Sequence, residues 1–506
     1  TTTKVDTMVA RLMDLLFPAR SKNWSIASTP DPQLPESVVM EAVRPELEAK
    51  TAAFMQETMQ NLQAQNIVPD PLALQKLQLQ AQQQALATIN MDAVRRKIAS
   101  ERAEAMEIVI DDQLKEAPAG GSDGGMNRPS WQQNCKAVIH SACLYGMGVL
   151  KGPLIEKRIV SHMNPVTGED GATAWQEQSA DPTLTPYHEA VSLWNVYPDP
   201  GAVTPRELRF VWQVHLKTDK ELWDLATFPG FDGAVIARYI KENPDGDASM
   251  SQWEAQLRTL NEGNIGASYL NRRYRVHERW GYLTGQELRD AGNEVGDEDL
   301  PKVFASNVWL LGDKVIKAMI NPLEGVDIPY FFYPYKADET AFWPEGIASA
   351  IRAPQAGINA AVRATQDNAV VSSGPIIGVN MQALADEEDP MDLQARRVFL
   401  FNRATNLNQI FSVMTVPSCI EANLTLVKFW QEAADEMSTP RFNAGDGRVS
   451  GAGETASGLS MLMGASNILL KDHVKDFDDT VTAPFIRAMY RWNMMWNQRN
   501  DINGDY

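Results

Sequence analysis

Residues 418–458 read SCIEANLTLVKFWQEAADEMSTPRFNAGDGRVSGAGETASG. Three segments are legible in this stretch. Residues 418–439 form an amphipathic helix with Leu424 and Val427 on its apolar side. Ser418 with Glu421 three residues on predicts a capping box at its start, and Pro440 stops it. Residues 441–453 form a loop, and six glycines lie between 445 and 464. Glycine leaves the backbone free to move there. Glu454-Thr455-Ala456-Ser457-Gly458 then opens a second long helix, over 456–470 and 474–496, with a bend at Pro484.

Upstream, residues 344–372 predict another helix. Ile347, Ile351, Ile358 and Val362 share one face, and Arg352, Gln355, Asn359, Arg363 and Asn368 are polar positions along it. Pro354 should loosen it, and Gly374-Pro375 stops it. Residues 376–417 form a small insert with strands near 376–379, 397–401 and 409–416. It carries the acidic run Asp386-Glu387-Glu388-Asp389. Helix, compact insert, helix, flexible loop, helix suits a structural machine around a channel better than an active site.

The remainder divides in the same way. Val5, Met8, Val9, Leu12, Met13 and Leu16 give residues 1–20 a helical stripe that Pro18 ends. Residues 35–117 are nearly all helix formers, split by Pro69 and Pro71 and Gln-rich in the second half. Leu72, Leu79 and Leu86 recur every seven residues. That spacing fits a long exposed hairpin lying on the body, or a coiled-coil contact with another chain. A Gly-rich linker covers 118–129, and a helix with Trp131, Val138, Ile139, Ala142 and Cys143 on one stripe covers 130–145. Alternation marks strands at 147–160, 187–196, 208–216 and 274–283, and at 303–310 and 314–320 about a turn at Leu311-Gly312-Asp313. Residues 218–224 and 231–243 read as helices, and 330–335 as a last strand. The fold class is α+β, predominantly helical.

Composition narrows the function. The 506 residues suffice for two to four domains, and 44 % hydrophobic content supports a real core. Three cysteines without a CxxC give neither a disulfide framework nor a zinc signature and point to a reducing compartment. Cys135 and Cys143 are eight apart on one helix, about 12 Å, too far for a bridge, and read as buried small hydrophobes. No signal-peptide pattern and no run of about 18 apolar residues is present. A net charge of −19 opposes tight non-specific DNA binding. It permits a surface that DNA slides past.

Enzyme motifs fail in turn. Gly451-Ala452-Gly453 is followed by no Gly-Lys-Ser/Thr and preceded by no strand, so it is not a phosphate loop. Gly458-Leu459-Ser460 lacks the second glycine of a nucleophile elbow. The six histidines form no HxH or HxxxH pair, and His215 and His277 read as core-edge residues on strands. The expectation is no catalytic residue, no metal and no cofactor.

In order of elements the chain resembles the portal proteins of tailed bacteriophages, those of short-tailed phages in particular, over about residues 1–497. Four local matches carry the resemblance. They are Trp24 after Leu16-Phe17-Pro18; Asn195-Val196-Tyr197-Pro198-Asp199-Pro200 ahead of Phe210-Val211; Pro344-Glu345-Gly346 leading to Gln355, Asn359 and Asn368; and Glu454-Thr455-Ala456-Ser457-Gly458 leading to Met461. The resemblance implies a portal-type subunit with a β-containing wing (1–341, with the helical hairpin 35–117 as an elaboration), a stem helix (342–373) and a small α/β clip (374–417). A second stem helix (418–440), a tunnel loop (441–453) and a kinked C-terminal helix with the start of a crown (454–506) follow.

It also implies a homo-oligomeric ring, usually of twelve subunits, at one capsid vertex of a virion assembled in the bacterial cytoplasm. Double-stranded DNA passes through it. A terminase packaging motor, head-completion or tail adaptor proteins, and major capsid and scaffolding proteins dock to it; no membrane is involved. Arg441, Asn443, Arg448, Lys471 and Lys475 would face the channel. Ile347, Ile351, Ile358, Val362, Leu424 and Val427 would line the subunit interface, and Arg396, Arg397, Glu387 and Glu388 would contact clip partners. The competing expectation is another virion structural or adaptor protein that uses the hairpin as its binding element.

Overall fold

The computed structural model describes residues 1–18, 22–64, 71–115, 129–158, 161–167, 173–179, 183–248, 272–382, 400, 411–438 and 470–497. The chain is α+β with helix predominating, at 55 %, and its strands fall into several small sheets, as the alternation and helical stripes predict. Two compact units result: residues 1–11, 143–146 and 345–470 form the smaller, and 12–142, 147–344 and 471–506 the larger. Helix α1 (Thr2–Leu16) contributes to both units and buries Val5, Met8, Val9, Leu12 and Leu16, the expected stripe.

In the larger unit, residues 36–115 form three helices, α2 (Glu36–Ala64), α3 (Pro71–Thr88) and α4 (Met91–Lys115). The unexpected break falls at Ile89-Asn90, where Asn90 Oδ1 accepts the Ala93 N–H at 3.2 Å and starts α4. Val39, Val43 and Leu47 of α2 meet Ala85 of α3 and Ile89 just beyond it. Two of the heptad leucines lie outside that seam: Leu79 is 60 % and Leu86 37 % exposed.

Helix α5 (Trp131–Tyr145) leads into β1 (Met147–Arg158), the centre of an antiparallel three-stranded sheet between β4 (Thr183–Val191) and β10 (Tyr330–Pro334). A separate ribbon pairs β2 (Ser161–Thr167) with β3 (Thr173–Ser179), which alternation alone did not reveal. The five-stranded sheet is a meander of β5 (Val196–Pro198), β6 (Phe210–Thr218), β7 (Arg273–Thr284), β8 (Val303–Leu311) and β9 (Lys314–Ile320). Residues 187–196 therefore do not form one strand. A 3-10 turn at Leu193–Asn195 carries the chain from one sheet to the other.

The core closes between the two sheets. Met147, Val149, Val191, Tyr330 and Phe332 come from one side, and Val196, Val211 and Trp280 from the other. Helices α6 (Asp219–Thr227) and α7 (Gly233–Glu242) set Leu222 and Ile236 on Tyr274, Val276, Leu311 and Ile316. Both α6 and α8 (Gly285–Asp290) start with complete capping boxes, Thr218 with Glu221 and Thr284 with Glu287. Side chains and loops occupy two sheet edges. Asn134 spans β4, donating from Nδ2 to His188 O at 3.1 Å and accepting the Ala190 N–H at 3.1 Å. On β9, Ile316 O accepts the Asp232 N–H at 2.7 Å and Ala318 O accepts from Asn293 Nδ2 at 3.0 Å. Near the C-terminus a π-helical turn, Asp478–Thr482, precedes α12 (Ala483–Trp496). Pro484 sits in the first turn of α12, so the irregularity at the predicted bend is a π turn followed by a tolerated proline.

The smaller unit is built on α9 (Ile347–Ala350), α10 (Arg352–Ser372), the antiparallel ribbon β11 (Ile376–Val379) with β12 (Phe411–Met414), and α11 (Ile420–Met437). The break at Ile351 places Pro354 in the first turn of α10, where its missing N–H costs little. Apart from Leu400, which is not in a strand, the predicted strand at 397–401 lies outside the described residues. The Ser418–Glu421 capping box does not form: α11 starts at Ile420 with Cys419 at its cap and no side-chain cap bond. Asn368 of α10 supplies the partner instead. Its Oδ1 accepts the Cys419 N–H at 2.8 Å and its Nδ2 donates to Pro417 O at 3.3 Å.

Candidate self-assembly interface

Helices α10 and α11 lie antiparallel. Gly357, early in α10, meets Trp430, late in α11, while Asn368 reaches Cys419. Gly357 is what allows the approach, since a Cβ there would sit 2.5 Å from the Trp430 ring. Pro354 and Ala361 are buried on the inner side of α10, with Ile358 half-buried beside them; Ala434 is buried on α11, with Val427 and Trp430 half-buried.

The two flanks of the pair differ. One carries the first residues of the chain: Lys4 Nζ meets Asp435 Oδ1 at 2.5 Å, and Thr1 Oγ1 donates to Gln355 Oε1 at 3.2 Å. Helical spacing puts Leu426, Phe429 and Met437 on the opposite flank of α11, where they are 50 %, 58 % and 58 % exposed. Ala353, Ala360, Ala364 and Val371 run along the same side of α10, all exposed. Among the described residues this is a long apolar surface with no cover.

The residues expected at a subunit interface therefore separate. Ile347 and Ile351 are buried within the chain, and Ile358 and Val427 turn toward the inner side of the pair. Val362 and Leu424 are exposed. The periodicity identified the stripe that joins the two helices of one chain. It did not pick out the row beside it, and Gly357 within the helix was the available signal for close packing. Lys471 and Lys475 are exposed and stand next to exposed Asp472 and Asp476. Arg441, Asn443, Arg448, Arg396, Arg397, Glu387 and Glu388 lie outside the described residues.

A dense polar cluster lies elsewhere, between the sheets of the larger unit. Glu278 Oε2 accepts from Lys151 Nζ at 2.5 Å and lies 2.7 Å from His215 Nε2; Oε1 accepts from Trp280 Nε1 at 2.6 Å and Asn307 Nδ2 at 3.2 Å. Burial pushes the Glu278 carboxyl up, but Lys151 and His215 outweigh it and hold the group well below the usual carboxylate range. With four partners on two oxygens the carboxylate ties β1 to β6, β7 and β8. Period-2 alternation in β7, with Tyr274, Val276, Glu278 and Trp280 all inward, was the signal that could have found it. His215 stacks on Trp309 at 5.1 Å, and His277 meets Trp212 edge-on at 6.4 Å. A buried imidazole, His188, lies edge-on to Trp131 and Phe485, each at 5.4 Å, and burial lowers its pKa to about 4. Cys135 and Cys143 are buried, as expected, and Cys419 is exposed.

No protein family and no curated protein matches the chain. Among the described residues, no three His, Cys, Asp or Glu side chains are grouped to hold a metal ion, and no helix is long and apolar enough to cross a membrane.

Proposed function

We propose that the chain is a ring-forming structural subunit of portal type, through which double-stranded DNA is packaged and ejected at one vertex of a phage capsid. The observation that carries this reading is the apolar flank of the α10–α11 pair. Leu426, Phe429, Met437 and Val371 stand in water on a helix pair that brackets a small insert, the order on which the resemblance rests. A surface of this kind marks a protein contact, and many copies of one chain in a closed ring provide it. On this reading α10 and α11 are stem helices, the β11–β12 ribbon belongs to the clip, and the larger unit is mostly wing. Lys471 and Lys475, with Arg441, Asn443 and Arg448, offer scattered cations on a chain of −19, suited to weak contact with a moving polyanion. The packaging motor, adaptor, capsid and scaffolding proteins are the partners this role requires.

Particle mass and negative-stain images of the full chain at micromolar concentration test the reading. Closed rings are expected; a population of monomers and dimers alone overturns it. Exposed Leu79 and Leu86 on α3 favour a second reading, an adaptor that binds through the hairpin. Deleting residues 60–110 should leave rings intact in the first case and abolish partner binding in the second.

A further inference from the structure

We propose that neighbouring copies meet along this helix pair, the outer edge of α10 in one copy against the outer edge of α11 in the next with the adjoining apolar flank drawn into the same contact, the direction being set by opposite charge. This rests on the ring reading above. Facing away from the inner side of the pair, α10 presents Arg352, Asn359, Arg363 and Val370, and α11 presents Glu421, Thr425, Glu432 and Glu436, all exposed. Helix α10 carries two arginines against the single acid Asp367, and α11 carries four acids against the single lysine Lys428. A helix pair with one cationic and one acidic edge is complementary to itself only head to tail.

The levels along the helices agree. Gly357 beside Trp430 and Asn368 beside Cys419 fix the antiparallel register within one chain. Each step forward on α10 is then a step back on α11. Copies repeated about an axis along the helices keep these heights. Arg352 then comes level with Asp435 and Glu436, of which Asp435 already binds Lys4. Arg363 comes level with Leu424, within a turn of Glu421. Lys428 comes level with uncharged Asn359 and opposes no cation. Asp367 falls near Ile420, turned from the edge toward the apolar flank.

Exposed ion pairs of this type supply little affinity but choose orientation and reject wrong pairings. Here they disfavour α10 against α10 and α11 against α11, the symmetric arrangements that end as dimers. The seam is therefore heterologous and propagates until it closes.

Two variants of the full chain test this. Arg352→Glu with Arg363→Glu makes both edges acidic; Glu421→Arg with Glu436→Arg makes both cationic. The substituted positions are all exposed, and circular dichroism checks that each variant folds. At low ionic strength, where charge is least screened, each alone should self-associate about tenfold or more weakly than the parent. An equal mixture should recover rings of alternating chains, read by native mass spectrometry. If either variant alone forms rings as the parent does, or the mixture fails to recover them, the edge-to-edge seam is wrong while the ring stands. If the parent forms no ring, the functional reading itself falls.

Discussion

A lysine and a glutamate are sealed between the two sheets of the larger unit. In the smaller one a leucine, a phenylalanine and a methionine stand in water along a helix flank. Each is the reverse of the usual distribution, and the reasons differ. The buried ions are satisfied by partners that the same chain supplies on four strands, so that cluster is complete within the unit. The exposed apolar row finds no such partner among the described residues, so the smaller unit reads as half of a contact.

That contrast can be tested most severely inside the larger unit. Glu278→Ala should leave buried Lys151 with only the longer 3.7 Å contact to half-exposed Glu189 and cost about 3–5 kcal/mol in denaturant unfolding. A loss below about 1 kcal/mol would show that the clamp does not hold the sheets. A somewhat smaller effect is expected from pH. The folded-state pKa of His188, about 4, lies below the ordinary 6.5, so the fold favours the neutral ring. Its contribution is complete above pH 6.5 and is lost as pH falls toward 4, up to about 3 kcal/mol. His188→Phe should flatten that part of the stability–pH curve, and an unchanged slope would remove His188 as its source.

In the smaller unit, alanine for glycine in mid-helix normally stabilises by about 1 kcal/mol. Gly357→Ala should instead destabilise by about 1–3 kcal/mol, because the new methyl displaces Trp430. The sign of the change in Tm decides it. The smallest effect on stability sharpens the contrast most. Leu426→Ser, Phe429→Ser and Met437→Ser together should change unfolding free energy by no more than about 0.5 kcal/mol per site. They should nonetheless weaken self-association measured by particle mass. A large stability loss would mean that the row is covered within the chain.

Much of this architecture was legible in local pattern. The stripe of α1, the hairpin turn at Gly312, the strands around Val211 and Trp280 and the helix–insert–helix order all follow from spacing, because each depends on neighbours a few residues away. What escaped depends on distant partners. Ser418 looked like a cap, yet Asn368, fifty-one residues from Cys419, starts that helix. Ile351 and Val427 were legible as apolar, but whether they join two helices of one chain or two chains turns on how closely Gly357 admits Trp430. The opposite charges of the two edges stand plainly in the sequence. They become an argument only once that same contact fixes the heights of the helices.

Asn134 carries a consequence of another kind. Its amide sits where a further strand would add to β4, filling one backbone acceptor and one donor. Chains that assemble in many copies spend time crowded together at high local concentration, and an open strand edge is then a template for aggregation. A single buried amide occupies this edge of the sheet against that fate. Its loss, as in Asn134→Leu, would be felt first as insoluble protein during expression, before any assembly could be scored.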